Sequence, residues 1–299
     1  MTSIADSEPP RESAGRRLST VLHRRPWLRL GLLLAPPLSW LLLAYLGSLA
    51  VLFVAAFWRL DPFTAEVVHD YGIQNFRLLW ESDVYRTITQ RTVLIAAAVT
   101  VTDAVLAFPI AFYMAKVASP RTRNLLVVAI LLPLWASYLV KVYAWRIILQ
   151  EQGVLNWALS PLGLDGPGFG NVATWLVFSY LWLPFMILPV YAGLERIPSS
   201  LLEASADLGA KGARTLWRVV LPLALPAVAA GSIFTFSLTL GDYITPALVS
   251  STQFIGNVVY ANVGVANNLP LAAAFATVPV VVMVVYLLLA RRAGAFDSL

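Results

Sequence analysis

Two carboxylates, Asp103 and Asp242, fall within or at the end of long apolar runs of this 299-residue chain. A carboxylate facing hydrocarbon is costly, so each is a functional-site candidate. Asp242 follows Gly241 and precedes Pro246, a spacing that predicts a helix break. There it either caps a helix end or faces a cationic solute in mid-pathway. Asp103 is either a buried hydrogen-bonding group or a pathway residue. Lys141 and Arg146 either snorkel to the membrane surface or line a vestibule. The aromatics Trp135, Tyr138, Tyr143, Trp145, Trp182 and Tyr243 fit a pathway lining and an interfacial belt alike.

Other chemistries find no support. The chain has no cysteine, which excludes disulfides, thiolate metal sites and a cysteine nucleophile. Gly166-Pro-Gly-Phe-Gly170 superficially resembles a phosphate cradle, but no strand precedes it and no Lys-Ser/Thr pair follows, so it reads as an irregular turn. No G-x-x-x-x-G-K-[ST] occurs, so ATP is not expected to bind this chain in a P-loop. No catalytic residue, metal ligand or cofactor site is assigned.

The most informative stretch is a polar island from Glu195 to Arg218. Pro198-Ser-Ser200-Leu-Leu-Glu203 predicts a helix start, with Ser200 as cap and Glu203 reaching back to its amide. Gly209 supplies a left-handed stop. A second short helix is expected over 212–220, carrying Arg214, Trp217 and Arg218, after which Pro222 and Pro226 redirect the chain. Helix, glycine corner, helix is more than a turn between spans needs, and it suggests a docking surface.

The elements that position these residues are membrane helices. Hydrophobic residues make up 59% of the chain and charged residues 12%. Apolar runs at 31–58, 92–117, 125–149, 172–194, 223–241 and 271–290 each approach or exceed the ~20 residues needed to cross ~30 Å of hydrocarbon. Backbone groups in lipid must be satisfied internally, so these six spans are helices. Lys and Arg cluster before the first span, between the second and third, between the fourth and fifth, and after the sixth. Segments 150–172 and 242–270 hold none, so both termini are expected in the cytoplasm. The net charge of +5 and pI near 9.6 express this asymmetry. Spread among loops, the basic residues form no single face for nucleic acid. The first run is too long for a signal h-region and is expected to remain as an anchor. Residues 1–26 read as a disordered cytoplasmic tail, and 27–299 as the transmembrane domain, with an outer segment at 59–91. Within that segment, bulky residues at 73, 76, 79 and 80 fit an interfacial amphipathic helix or an ordinary packed connector.

Glu203-Ala204-Ser205, then Gly209, then Val220-Leu221-Pro222, resembles the E-A-A…G…I-x-L-P loop of permeases of binding-protein-dependent ABC importers. Ser205 replaces the second alanine of that pattern; it is still small enough for a close helix contact. The resemblance covers about residues 71–292 and is nearest to the B-type permease of spermidine/putrescine importers. It is carried there by Leu132-Pro-Leu-Trp135, Gly153-Val-Leu-Asn156, Leu183-Pro-Phe-Met-Ile-Leu-Pro189, Leu240-Gly-Asp-Tyr-Ile-Thr-Pro246 and Ile255-Gly-Asn257.

The resemblance implies an all-α membrane protein with six transmembrane helices and the type I ABC importer permease fold. It further implies a non-catalytic subunit of a bacterial inner-membrane importer, taking a solute such as a polyamine from an extracytoplasmic solute-binding protein. The implied partners are a similar but distinct second permease and two cytoplasmic subunits that bind ATP and Mg. Glu203, Ala204, Ser205, Asp207, Gly209 and Arg214, in the loop 195–221, would form the coupling contact. Asp242, Tyr243, Asp103, Trp135 and Tyr138 are candidates for the substrate pathway. An ion-coupled secondary transporter or a membrane scaffold leaves the docking loop unexplained.

Overall fold

The computed structural model describes residues 26–292. The expected N-terminal tail lies outside the described residues except for Pro26. The chain divides into two units at Val54/Ala55. The described part of the first holds α1 (Pro26–Trp40), a π turn (Leu41–Leu46) and most of α2 (Gly47–Ala55). Leu30–Ala55 forms a single apolar length sufficient to cross a membrane. Pro36 and Pro37 do not end α1; the helix runs on through Trp40 into the π turn.

The second unit opens with a short hairpin, β1 (Arg59–Leu60) antiparallel to β2 (Val67–Val68). At its tip the amides of Phe63 and Thr64 donate to Asp61 Oδ1 at 2.8 and 3.2 Å, holding that carboxyl below its usual range. Next comes α3 (Gln74–Glu81). Its bulky residues lie on one side, as their spacing requires, but only two of them are packed. Phe76 packs on Phe57 and Leu79 on a core of Ile88, Ile255, Val258 and Phe275, while Ile73 and Trp80 point outward. It is thus a packed connector with an apolar outer edge.

α4 (Asp83–Phe112) continues through a π turn (Tyr113–Val117) as one span. It begins nine residues earlier than its apolar run, with Ser82 at the N-cap position and Asp83 in the first turn. The third apolar run is built as two helices, α5 (Pro120–Trp135) and α6 (Tyr138–Leu149), which meet at 91°. Between them Ala136 and Ser137 are extended, and Pro133 withdraws an N–H from the final turn of α5. The bent pair still reaches from one end of the next span to the other. Arg123 pairs with Glu195, and Leu149 packs with Ala173 and Val177. Ala173 and Glu195 lie at opposite ends of α8 (Asn171–Glu195), about 33 Å apart at 1.5 Å per residue. Counted as one crossing, the bent pair joins five other candidate spans to give six among the described residues.

The loop after α6 holds α7 (Val154–Leu159) and a 3-10 turn (Ser160–Leu162). Beyond α8 come α9 (Ser199–Asp207), α10 (Gly212–Thr215), a π turn (Leu216–Val220) and α11 (Leu221–Gly241). Gly212–Gly241 is helical throughout, so Pro222 and Pro226 do not redirect the chain. Pro222 is the second residue after the π turn, which takes up the misfit a proline brings. The described chain closes with α12 (Ile244–Val249), α13 (Ile255–Gly264) and α14 (Leu269–Arg292).

The core lies among α4, α8 and α11. At one end Ala107, Ala111, Met114, Met186, Val190, Leu194, Val220 and Ala224 form a buried cluster. α8 and α11 run antiparallel in very close contact. A Cβ on Gly193 would collide with Ala227 Cβ, and one on Gly231 would lie 2.8 Å from Met186 Sδ. Such small-residue contacts let membrane helices approach backbone to backbone. α14 packs alongside α11, with Tyr286 stacked on Phe236 and its hydroxyl donating to Ser232 Oγ at 2.7 Å.

Candidate functional site

Residues 199–220 form the helix–glycine–helix segment. α9 is not started by a capping box. Pro198, extended at ψ 140°, occupies the N-cap position, so Ser200 lies in the first helical turn and no side chain caps the helix. The stop is as expected: Gly209 has φ +76°. Gly209 N donates to Ala206 O at 2.8 Å and Ala210 N to Ser205 O at 3.1 Å, the paired bonds of a Schellman motif. The Ser205 and Thr215 hydroxyls bond at 2.8 Å, joining α9 to α10. The serine that stands where the pattern has its second alanine thus supplies a hydroxyl that ties the two helices. Glu203, Ala204, Asp207, Gly209 and Arg214 are exposed. Leu208 and Trp217 are exposed too, at 89% and 68%, and with Leu201 they add apolar area to this surface. A tryptophan within the polar island is the sequence signal for it.

Far from that segment, two helix breaks meet. α11 stops at Gly241 because Asp242 is extended, at ψ 129°. Asp242 Oδ1 accepts the amides of Ile244 and Thr245 at 2.8 and 3.2 Å and so caps α12. Its Oδ2 accepts the Thr245 hydroxyl at 3.1 Å and the Tyr138 hydroxyl. Tyr138 is the first residue of α6, directly after the 91° bend, and its ring stacks on Trp182 of α8. Thr245 escaped the sequence reading; its position three residues after a capping aspartate is the available cue. Tyr243 stacks on Tyr260, with ring centroids 4.8 Å apart, at the wall of an apolar cavity of about 360 Å³.

The other candidates lie apart from this joint. Trp135, at the end of α5, is 89% exposed. Asp103 is fully buried on α4, and neither of its carboxyl oxygens has a hydrogen-bond partner; the Ser179 hydroxyl of α8 is likewise buried and unpartnered. Arg146 places its guanidinium over the Phe169 ring at 6.0 Å.

A polar network beside the helix–glycine–helix segment was not foreseen as a unit. Lys116 Nζ donates to Ile197 O at 2.6 Å. Arg123 donates to Met114 O from Nε at 3.1 Å and pairs with Glu195 through Nη1 at 3.3 Å. The Tyr191 hydroxyl donates to the same Glu195 oxygen at 3.1 Å. In sequence these charges registered only as loop residues that orient the chain.

Closely packed membrane helices, a hydrogen-bonded joint between two broken ones and an exposed helix–glycine–helix at one end together define a transport permease. The chain belongs to the family described as "Binding-protein-dependent transport system inner membrane component", whose model matches residues 107–295. It is an ABC importer permease subunit. It is 47% identical to the "Inner membrane ABC transporter permease protein YdcU" of Escherichia coli (strain K12), over 97% of both chains. It is 29% identical to the "Spermidine/putrescine transport system permease protein PotB" of Haemophilus influenzae, covering 74% of this chain and 79% of that one. Among solved structures it resembles a bacterial ABC transporter "involved in the import of the acidic polysaccharide alginate" (TM-score 0.67, 21% identity, 92% and 97% covered). It also resembles the MetNI methionine ABC transporter (TM-score 0.55, 16% identity, 72% and 95% covered). The fold is that of the type I importer permeases.

Proposed function

We propose that this chain forms one half of the translocation pore of an ATP-driven importer and that residues 199–220 dock on a cytoplasmic ATP-binding subunit. The observation that carries this reading is the continuity of Gly212–Gly241. The second helix of the exposed segment is the beginning of a span, so a push on it enters the membrane without crossing a loop. ATP hydrolysis belongs to the partner subunits in this reading, and a second, distinct permease completes the pore. Both termini and the 199–220 segment face the cytoplasm, where the basic residues gather. Segments 150–172 and 242–270 face the solute-binding protein.

The solute we propose is a polyamine. Support comes from the PotB relatives and from a carboxylate at the junction of two broken helices. Four donors surround Asp242 here, so a cation reaches it in a conformation in which Tyr138 has let go. The test is reconstitution in vesicles with the partner subunits and the cognate binding protein. ATP-dependent accumulation of labelled spermidine or putrescine supports the proposal. Uptake of only anions or sugars removes the polyamine and leaves the ABC permease assignment intact.

A further inference from the structure

We infer that Lys116 and Arg123 form a clamp that carries movement of the 199–220 segment into α4 and α5; the inference rests on the docking reading above. The clamp begins with the π turn Tyr113–Val117. A helix end leaves carbonyls without intrahelical partners, and the Met114 carbonyl is taken by Arg123 Nε at 3.1 Å. That bond fixes the guanidinium, whose Nη1 then meets Glu195 at 3.3 Å, the last residue of α8. Tyr191 holds Glu195 from one turn before, at 3.1 Å. Two residues on, Lys116 donates to the Ile197 carbonyl at 2.6 Å, and the Ile197 side chain is buried with Met114 and Ala115. The turn carrying the two cations is itself stiff, because the Ser119 hydroxyl accepts the Thr122 amide at 3.3 Å.

The chain leaving α8 toward α9 is therefore gripped by groups from the end of α4 and the start of α5. These partners lie 72 and 81 residues away in sequence. Orientation in the membrane requires only that Lys and Arg lie on this side; it does not require them to bond this stretch of backbone. Stability does not account for the arrangement either. The Arg123 and Glu195 side chains are 30% and 49% exposed, and exposed pairs contribute little. What the network fixes is position. A displacement of the segment reaches α11 through the continuous helix and reaches α4 and α5 through these two cations.

The test uses the full importer, assembled with its ATP-binding subunits. The chain lacks cysteine, so spin labels can be placed at Leu132→Cys on α5 and Phe234→Cys on α11, both exposed positions. The distance between them is read by pulsed electron resonance before and after ATP. A clear ATP-driven change is expected in the otherwise wild-type chain. In Arg123→Gln and Lys116→Gln it should shrink to less than half while the ATP-binding subunits stay bound and hydrolyse ATP. The swap Arg123→Glu with Glu195→Arg should recover part of it, which a fold defect would not allow. An unchanged distance response in both single variants overturns the clamp, and so does the absence of any response in the wild type. Loss of the ATP-binding subunits from the variants also overturns it, by making these residues part of the dock. Failure of the docking reading itself is seen separately, as failure of the wild-type chain to hold the ATP-binding subunits.

Discussion

The Tyr138 hydroxyl donates to the Asp242 carboxylate, and through that bond the bend in the third crossing is tied to the break after α11. Neither residue could hold this geometry from its own helix. Tyr138 is aimed by the extended Ala136–Ser137 link, and Asp242 by the two amides of α12 that it caps. Asp242→Asn keeps a capping oxygen but loses the charge that would meet the proposed cationic solute. Hydrogen bonds to charged groups contribute about 1.5–3 kcal/mol, so uptake should fall by roughly tenfold or more with assembly intact. Normal uptake in the Asn variant would reduce Asp242 to a cap. Tyr138→Phe should lower the thermal unfolding temperature, because one oxygen of Asp242 loses a donor.

Docking is tested at Gly209 and Glu203. A Cβ at Gly209 meets no neighbouring atom within 4 Å, so the strain of a valine there comes chiefly from φ +76°. Left-handed backbone costs a non-glycine residue about 1–2 kcal/mol, and for a β-branched one it is a genuine outlier. Gly209→Val should misdirect α9 and reduce co-purification of the ATP-binding subunit. Glu203 is exposed and caps nothing, so Glu203→Ala should leave stability within about 0.5 kcal/mol while weakening the same association. Wild-type assembly and transport in both variants would remove the segment as the dock.

Topology is tested with single cysteines in a chain that has none. In intact cells an impermeant thiol reagent should label Asp165→Cys and spare Lys211→Cys. The reverse pattern would invert the proposed orientation.

Asp103 offers a stability test with a definite sign. Its carboxylate is buried without a geometric partner, and a buried polar group left unpaired costs on the order of 1–3 kcal/mol, more when charged. Asp103→Leu, close in shape and with no polar atom to leave unpaired, should therefore raise the unfolding temperature of the purified chain. If uptake falls in the same variant, Asp103 belongs to the pathway; if uptake holds, it is a tolerated burden in the helix interface.

The legible parts were those with local causes. Apolar length gave the spans, a glycine before Ala210 gave the left-handed stop, and Gly241-Asp242 gave the break. The parts not legible depend on partners distant in sequence or on backbone accommodation. Nothing around Pro222 announces that a π turn will let a helix continue through it. Ser200 and Glu203 have the spacing of a capping box, yet Pro198 takes the N-cap position and displaces the motif. The Lys116 and Arg123 bonds depend on where α8 ends in space, which charge patterning does not encode.

The Gly193–Ala227 and Gly231–Met186 contacts bring α8 and α11 together with little side-chain cushioning between them. Two rods joined in this way have no soft layer in which to lose an angular displacement. A tilt of about 10° applied at the Glu195 end would sweep the opposite end of a helix of about 37 Å through some 6 Å. That sweep is comparable to the rise of a whole helical turn. Swapping either glycine for a bulkier residue would therefore act like a worn bearing, letting the hairpin turn at one end with a smaller stroke at the other.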